Sequence, residues 1–518
     1  MAPQPVSHGH LGGGGGGGRR RRRDRPGPRV GERRPVVIPV VTPAEMAAVD
    51  AAAPEGADVL VERAGAAVAV AAAEMLTGTS EGAAAVLETG RSSSPRRKAL
   101  AGRRVVIIAG RGNNGADGRA ASRHLQRAGA ECRIIAPDAA DAPPCDLLID
   151  AAYGTGLNRS WTPPAGIEGA GSVLAVDIPS GVDGLTGQVH GGALAAARTV
   201  TFAALKPGLL LQPGRTLAGS VSVADIGLDV AAATAQLLTE ADIADLWPRR
   251  EADAHKWRSA CWVVAGSPPM RGAASLASLA ALRSGAGYVR LSVPGGEPDA
   301  SVPTEVVFGR LPAADWHERM DTSRFGSLVV GPGLGRDPHT ASAVCGLVAR
   351  ATVPLVLDGD ALAALAGDLG AVLAAARAPV VLTPHDGEYE MLAGCRPGAD
   401  RLEAARTLAA AGATVLLKGP TTVVAAPDGA ARFVTSGDAR LATAGTGDVL
   451  AGMIGALLAQ GVAPLEAAAL AAHVHGMAGA LGPPVGLIAG DLLGAIPAVL
   501  AGALDPAPQG FGGGTGSR

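Results

Sequence analysis

Val105-Val106-Ile107-Ile108-Ala109, running into Gly110-Arg111-Gly112-Asn113-Asn114-Gly115-Ala116-Asp117-Gly118, is the stretch on which the fold turns. The β-rich run predicts a strand, the glycines a tight turn, and the spacing over 116–128 a helix. A strand, Gly-rich turn and helix N-terminus in that order offer free backbone N–H groups to an anion, helped by the helix dipole. No structural turn requires two amides plus a carboxylate, so Asn113, Asn114 and Asp117 point to a bound ligand.

The same rhythm continues outward. Residues 132–136, 147–150, 173–177 and 199–202 are further short β-rich runs. A second block places expected strands at 261–265, 288–293, 328–331, 355–358, 380–383 and 415–418, with helices at 274–284 and 446–460. Strand–helix alternation implies α/β architecture, mainly parallel sheets with helices on both faces. Ligands then sit at the carboxyl ends of the strands. The motifs differ between blocks, so this is no internal repeat.

Those strand ends carry chemistry. Asp150 precedes Gly154-Thr155-Gly156-Leu157-Asn158, and Asp177 precedes Pro179-Ser180-Gly181-Val182-Asp183. With the first loop they are expected to face one crevice, helix capping being the competing role for the aspartates. In the second block Gly445-Thr446-Gly447-Asp448 opens a helix whose first amides form an anion hole. Asp448 lies where a base reaches a substrate hydroxyl, an N-cap being its alternative. Gly331-Pro332-Gly333-Leu334-Gly335, Asp358-Gly359-Asp360, Thr383-Pro384-His385 with Glu388, and Lys418-Gly419-Pro420-Thr421-Thr422 each follow a strand. Together they read as a nucleotide-and-substrate cleft, with a structural role as the alternative for His385.

Composition bounds the function. The chain has 518 residues, 47% apolar and 18% charged, with a net charge of −2. That supports large cores and two or more domains, and it lacks the basic excess of a nucleic-acid binder. Five dispersed cysteines form no C-x-x-C, which fits a reducing cytoplasm. No apolar run reaches the ~18 residues of a membrane helix, and 36–41 is too short for a signal-peptide core. Four lysines stand against 41 arginines, and asparagine occurs only at 113, 114 and 158. Where Lys or Asn survives such drift, its compact charge or neutral donor–acceptor pair has no exact substitute. Residues 1–37, rich in Gly and Arg, and 506–518 read as disordered tails, and 78–100 as an inserted surface loop.

The first block resembles the NAD(P)HX epimerase family, whose signatures are G-x-G-N-N-G-G-D-G, D-A-x-x-G-T-G and D-I-P-S-G. Glu45-Met46, Asp50 and Leu60-Val61-Glu62-Arg63-Ala64-Gly65 upstream extend the match, as do Thr201-Phe202, Lys206-Pro207-Gly208 and Asp225-Ile226-Gly227 downstream. It implies a Rossmann-like three-layer domain over 38–230. Ala116 replaces the family's Gly and adds a Cβ close to the anion site. By matched position, Asn113, Asn114, Gly115, Ala116, Asp117, Gly154, Thr155, Gly156, Leu157, Asn158, Arg159 and Ser160 resemble the ligand-holding loops. Asn114, Asp150 and Ser180 resemble the potassium ligands, hard oxygen donors suiting such a cation. Asp177 resembles the residue touching the hydrated nicotinamide ring, and its expected role is acid/base catalysis.

The second block resembles the ribokinase-like fold, and within it the ADP/ATP-dependent NAD(P)HX dehydratase family. His255-Lys256, Gly266-Ser267 and Gly272-Ala273-Ala274 add to that match. It departs at Trp257-Arg258-Ser259-Ala260, where the family has glycines, and at Gly359, where it has Ala. The expected domain spans 246–505, joined to the first by an Ala-rich linker at 231–245. Ala273, Gly333, His385 and Asp448 resemble the residues holding the hydrated dinucleotide. Lys418, Gly419, Pro420, Thr421, Thr422 and Gly447 resemble the adenine-nucleotide site.

The resemblances imply a bifunctional repair enzyme for NADHX and NADPHX. The first domain equilibrates the R and S epimers. The second phosphorylates the ring hydroxyl of S from ADP, with Mg2+ assisting and Asp448 as general base, and eliminates phosphate to restore NADH or NADPH. A homo-oligomer is the expected assembly, without nucleic-acid or membrane partners. A vitamin or sugar kinase carrying a non-catalytic N-terminal ligand-binding module is the alternative; the attached epimerase-like motifs argue against it.

Overall fold

The computed structural model describes residues 38–79, 99–157 and 159–505. The two tails, most of the 78–100 loop and Asn158 lie outside the described residues. The strands are β1 (Ile38–Val40), β2 (Arg104–Ala109), β3 (Glu131–Ile135), β4 (Leu147–Ala151), β5 (Val173–Val176), β6 (Arg198–Phe202) and β7 (Ser220–Ala224) in the first half. The second half adds β8 (Ala235–Leu237), β9 (Ala260–Val264), β10 (Tyr288–Ser292), β11 (Val307–Phe308), β12 (Ser327–Val330), β13 (Leu355–Leu357), β14 (Val380–Leu382), β15 (Thr414–Leu417), β16 (Thr422–Ala425) and β17 (Ala431–Val434).

The first sheet has six strands in the order β3-β2-β4-β5-β6-β7, and all its pairings are parallel. Every residue of β4 is buried, as a strand covered on both faces requires. Helices Ala57–Thr77 and Asn113–Arg127 pack together on one face. Their approach is set by Gly65, where a Cβ would fall 2.3 Å from the Ala120 methyl.

The second sheet has eleven strands, β1-β8-β17-β16-β15-β14-β13-β12-β9-β10-β11. From β15 to β11 the pairings are parallel, and β15-β16-β17 is an antiparallel meander. Helix Thr446–Ala459 is buried along most of its length beneath this sheet, so its Ala, Leu, Ile and Gly leave no polar face.

The stretch 231–245 is more than the linker expected from its alanines. It supplies β8, parallel to β17, and most of helix Glu240–Leu246, whose Ile243 is fully buried. Strand β1, from the start of the first half, pairs antiparallel with β8. The backbone around β1 also exchanges hydrogen bonds with Leu205. One apolar cluster joins Val40, Ile178, Leu205 and Leu210 of the first half to Trp262, Leu417 and Phe433 of the second. The two halves share a core.

Candidate active sites

Parallel strands deliver their following loops to one edge, and in the first half those loops enclose a cavity of about 1140 Å³. Its wall includes Asn113, Asn114, Asp117, Gly154, Thr155, Gly156, Leu157, Arg159, Ser160 and Asp177. Gly115 and Ala116 are not part of it. Gly115 lies against the Gly110 carbonyl, with no room for a side chain. The extra Cβ of Ala116, expected close to the anion site, does not reach the cavity wall. Asp150 and Ser180 are fully buried and do not line it either. Asp150 accepts from the Ser180 hydroxyl at 2.6 Å, the Ser180 N–H at 2.8 Å and the Ala152 N–H at 3.3 Å.

Asp177 sits immediately after β5 with φ of 66°, a left-handed conformation rare for a residue with a side chain. Such strain collects at functional sites. Its Oδ1 accepts from Lys206 Nζ at 2.7 Å and Thr201 Oγ1 at 3.0 Å. Lys206 is 1% exposed and also donates to the Phe202 carbonyl at 3.1 Å. The sequence placed Lys206 in a family motif without assigning it a role; its signal was the rarity of lysine. Asp50, likewise without an assigned role, lines the same cavity. Asp117 takes no hydrogen bond from the described residues. Burial, then the charges of Asp177 and Asp50, push its carboxyl up to about 8.

Asn114 has both amide side-chain atoms buried without a partner, and its side chain lies beside Gly154. Asp150 is a buried carboxyl whose partners are neutral, and burial raises its pKa. An orphaned amide oxygen and a buried acid without a counter-charge are the type of oxygen donor that suits a hard monovalent cation.

In the second half, Lys418 Nζ donates to Asp358 Oδ1 at 2.9 Å and lies 3.6 Å from Glu388. The Thr383 hydroxyl donates to the same Asp358 oxygen at 2.6 Å. Burial alone would lower the Lys418 pKa; the Asp358 and Glu388 charges more than reverse this, so it stands above its ordinary value. Gly447, in the first turn of helix Thr446–Ala459, faces this pair: a Cβ there would lie 3.6 Å from Lys418 Nζ. Asp448 is next to it. Burial, then the charge of Asp358, push its carboxyl up to about 6 against the opposing effect of Lys418.

Ala273 and Gly333 lie together, a Cβ on Gly333 falling 3.1 Å from the Ala273 methyl. Gly359 has φ of 58° and ψ of −118°, a conformation glycine tolerates and the family's alanine would not. His385 caps helix Asp386–Ala393, its Nδ1 accepting from the Gly387 and Glu388 N–H groups, so the structural role left open for it is real. Its side chain is otherwise mostly exposed, with Nε2 3.6 Å from the Glu388 carboxylate. Gly419 packs on the Arg401 guanidinium, and Thr422 begins β16. Thr421 does not face a cleft: it is buried, and its hydroxyl donates to the Leu210 carbonyl of the first half. Arg215 of the first half donates to the carbonyls of Pro420 and Thr435.

Fold and sites define an α/β enzyme with two separate centres, one in a Rossmann-like and one in a ribokinase-like half. Residues 57–142 and 135–208 match the family described as YjeF-related protein N-terminus, and residues 261–484 match NAD(P)H-hydrate dehydratase. The bifunctional NAD(P)H-hydrate repair enzyme of Salinibacter ruber is 37% identical over 481 residues, covering 77% of this chain and 87% of that protein. The same enzyme of Moorella thermoacetica is 38% identical over 467 residues, covering 77% and 88%. An ADP/ATP-dependent NAD(P)H-hydrate dehydratase from Bacillus subtilis, co-crystallised with ATP/Mg2+, is 30% identical, with a TM-score of 0.45, covering 52% of this chain and 98% of that one. This chain belongs to the bifunctional NAD(P)H-hydrate repair enzymes.

Removing the Lys206 ammonium leaves the largely buried Asp177 without its counter-charge, held by the Thr201 hydroxyl. Lys206→Met should cost roughly 3 kcal/mol of stability. Adding Asp177→Asn should recover part of that loss in thermal or urea unfolding. Additive effects of the two substitutions would show that the pair is not coupled.

Proposed function

We propose that the first half interconverts R and S NADHX and NADPHX, and that the second half dehydrates the S form with ADP as phosphoryl donor. The observation that carries this is the presence, in one chain, of a large cavity holding Asp177 and a helix-start anion hole holding Asp448. Hydrating an enamine double bond puts the hydroxyl on the carbon next to nitrogen. Once protonated it leaves as water, the nitrogen lone pair stabilises the flat cation, and water returning to the other face inverts the centre. Asp177, positioned by Lys206 and Thr201, moves the proton on that hydroxyl. Asp117, protonated at neutral pH, stands in the same cavity as a donor. Asn114, Asp150 and Ser180 would hold potassium, which when bound supplies a fixed positive charge beside the buried Asp150.

In the second half, Asp448 takes the proton of the ring hydroxyl as its oxygen attacks the terminal phosphorus of ADP, and AMP departs. The phosphate ester then breaks at its C–O bond with loss of a proton from the neighbouring carbon, giving NADH or NADPH and inorganic phosphate. The N–H groups of the first helical turn stabilise the charge on the transferring phosphoryl. Mg2+, when bound, neutralises phosphate charge. Among the described residues no cluster of three or more His, Cys, Asp or Glu forms a metal cage, consistent with an ion carried largely by the nucleotide.

The base must be ionised to work, so activity is lost as pH falls. The kcat/KM of dehydration should decline below a pH of about 6, following the Asp448 carboxyl. A flat profile between pH 5 and pH 8, ~1 unit below and ~2 above that value, would remove Asp448 from the role.

Asp177→Asn tests the division of labour. With excess ADP, mixed-epimer NADHX should give a fast phase of NADH formation limited to the S fraction and matching the parent's rate. A slow phase set by spontaneous epimerisation should follow. Complete single-phase conversion by a folded Asp177→Asn protein would refute its catalytic role.

A further inference from the structure

Helix Pro464–Leu481 is mostly Ala, Leu and Gly, and it carries two buried histidines, His473 and His475. A buried imidazole in such a helix is costly unless its polar atoms are used. His475 is 6% exposed, and its Nε2 lies 2.9 Å from the Thr446 carbonyl oxygen. That carbonyl belongs to the peptide unit whose N–H is that of Gly447, in the first turn of helix Thr446–Ala459.

The peptide group is planar, so fixing the direction of its C=O fixes the opposite direction of its N–H. The Gly447 N–H is one of the first-turn donors without an intrahelical acceptor. As the first helical residue, Thr446 also offers this carbonyl to the i+4 N–H of Leu450, and His475 is the additional partner from outside the helix. Gly445, at φ of 92°, precedes Thr446, and Gly447 follows it, both without a side chain to restrict rotation. The Thr446 hydroxyl, 2.9 Å from the Leu441 and Thr443 carbonyls, anchors the residue, while the helix bond and His475 both act on its carbonyl.

We propose that His475 is a positioning residue for phosphoryl transfer, its Nε2–H clamping the Thr446 carbonyl so that the Gly447 N–H is aimed into the anion hole. The hydrogen bond also polarises the peptide and makes that N–H a better donor. Burial is the main influence holding the imidazole in its neutral form, with its pKa pushed down to about 4, and the nearby Lys418 charge acts in the same direction. A neutral ring offers Nε2–H to the carbonyl without adding charge beside the substrate.

This inference rests on the dehydratase reading above. Its test uses the full chain and compares His475→Leu, which keeps the bulk and removes the donor, with His475→Gln, which restores an N–H of similar reach. His475→Leu should lower the dehydration kcat on the order of tenfold, with little change in KM for NADHX, because the misaimed donor acts on the transferring phosphoryl group. His475→Gln should recover most of the loss. Epimerase activity, measured by chromatography of the epimers, should match the parent in both and serves with thermal unfolding as the folding control. An unchanged kcat in folded His475→Leu, or an equal loss in both variants, would overturn the proposal. If the parent itself makes no NADH from NADHX and ADP, the dehydratase reading fails instead.

Discussion

A lysine drawn out of water needs a carboxylate beside it, and this molecule meets that constraint at the fully buried Lys206 and again at the partly buried Lys418. Lys206 is held by Asp177 in the first half, and Lys418 by Asp358 in the second. An unpaired ammonium at either place would cost several kcal/mol. Each pair therefore fixes the end of a strand in one arrangement. The carboxylate at that end is held against its site, on the wall of the first cavity and facing Gly447 in the second. Arginine, which the chain otherwise favours tenfold, would spread its charge over a larger planar group with a different donor geometry.

The two sites stand on a common foundation. Val40 is buried in a core that reaches from Leu210 to Phe433, and β1 extends the second half's sheet from the start of the chain. Thr421 and Arg215 tie the segment after Lys418 to the segment after Lys206. Fusion here is a packed interface rather than two beads on a string, although in the proposed scheme the substrate passes between the two sites free in solution.

The strands read from the sequence were legible because most are largely apolar runs of three to six residues ending in a Gly-, Asp- or Thr-containing loop. The strands that escaped notice are short or lie at edges: β1, β7, β8, β11 and the β16–β17 hairpin. Their pattern depends on partners far away in sequence, and β1 exists only because β8 is there to receive it. The same reason hid the structure inside 231–245. In the sites, motif residues on glycine loops were readable because their chemistry has no structural use. The turn of the Thr421 hydroxyl toward Leu210 was not readable, because a hydroxyl in a loop gives no sign of which way it points. Lys206 stood in a motif without a role and His475 in none: each pairs with a group delivered by another element, and that pairing is a property of the fold.

The most direct test is the fate of the R epimer. Purified protein given mixed-epimer NADHX, ADP and Mg2+ should return all of the hydrate as NADH in one continuous phase, with AMP and phosphate formed in equal amounts. Conversion that halts at the S fraction, or that proceeds without consuming ADP, would contradict a chain in which one half supplies the epimer that the other dehydrates.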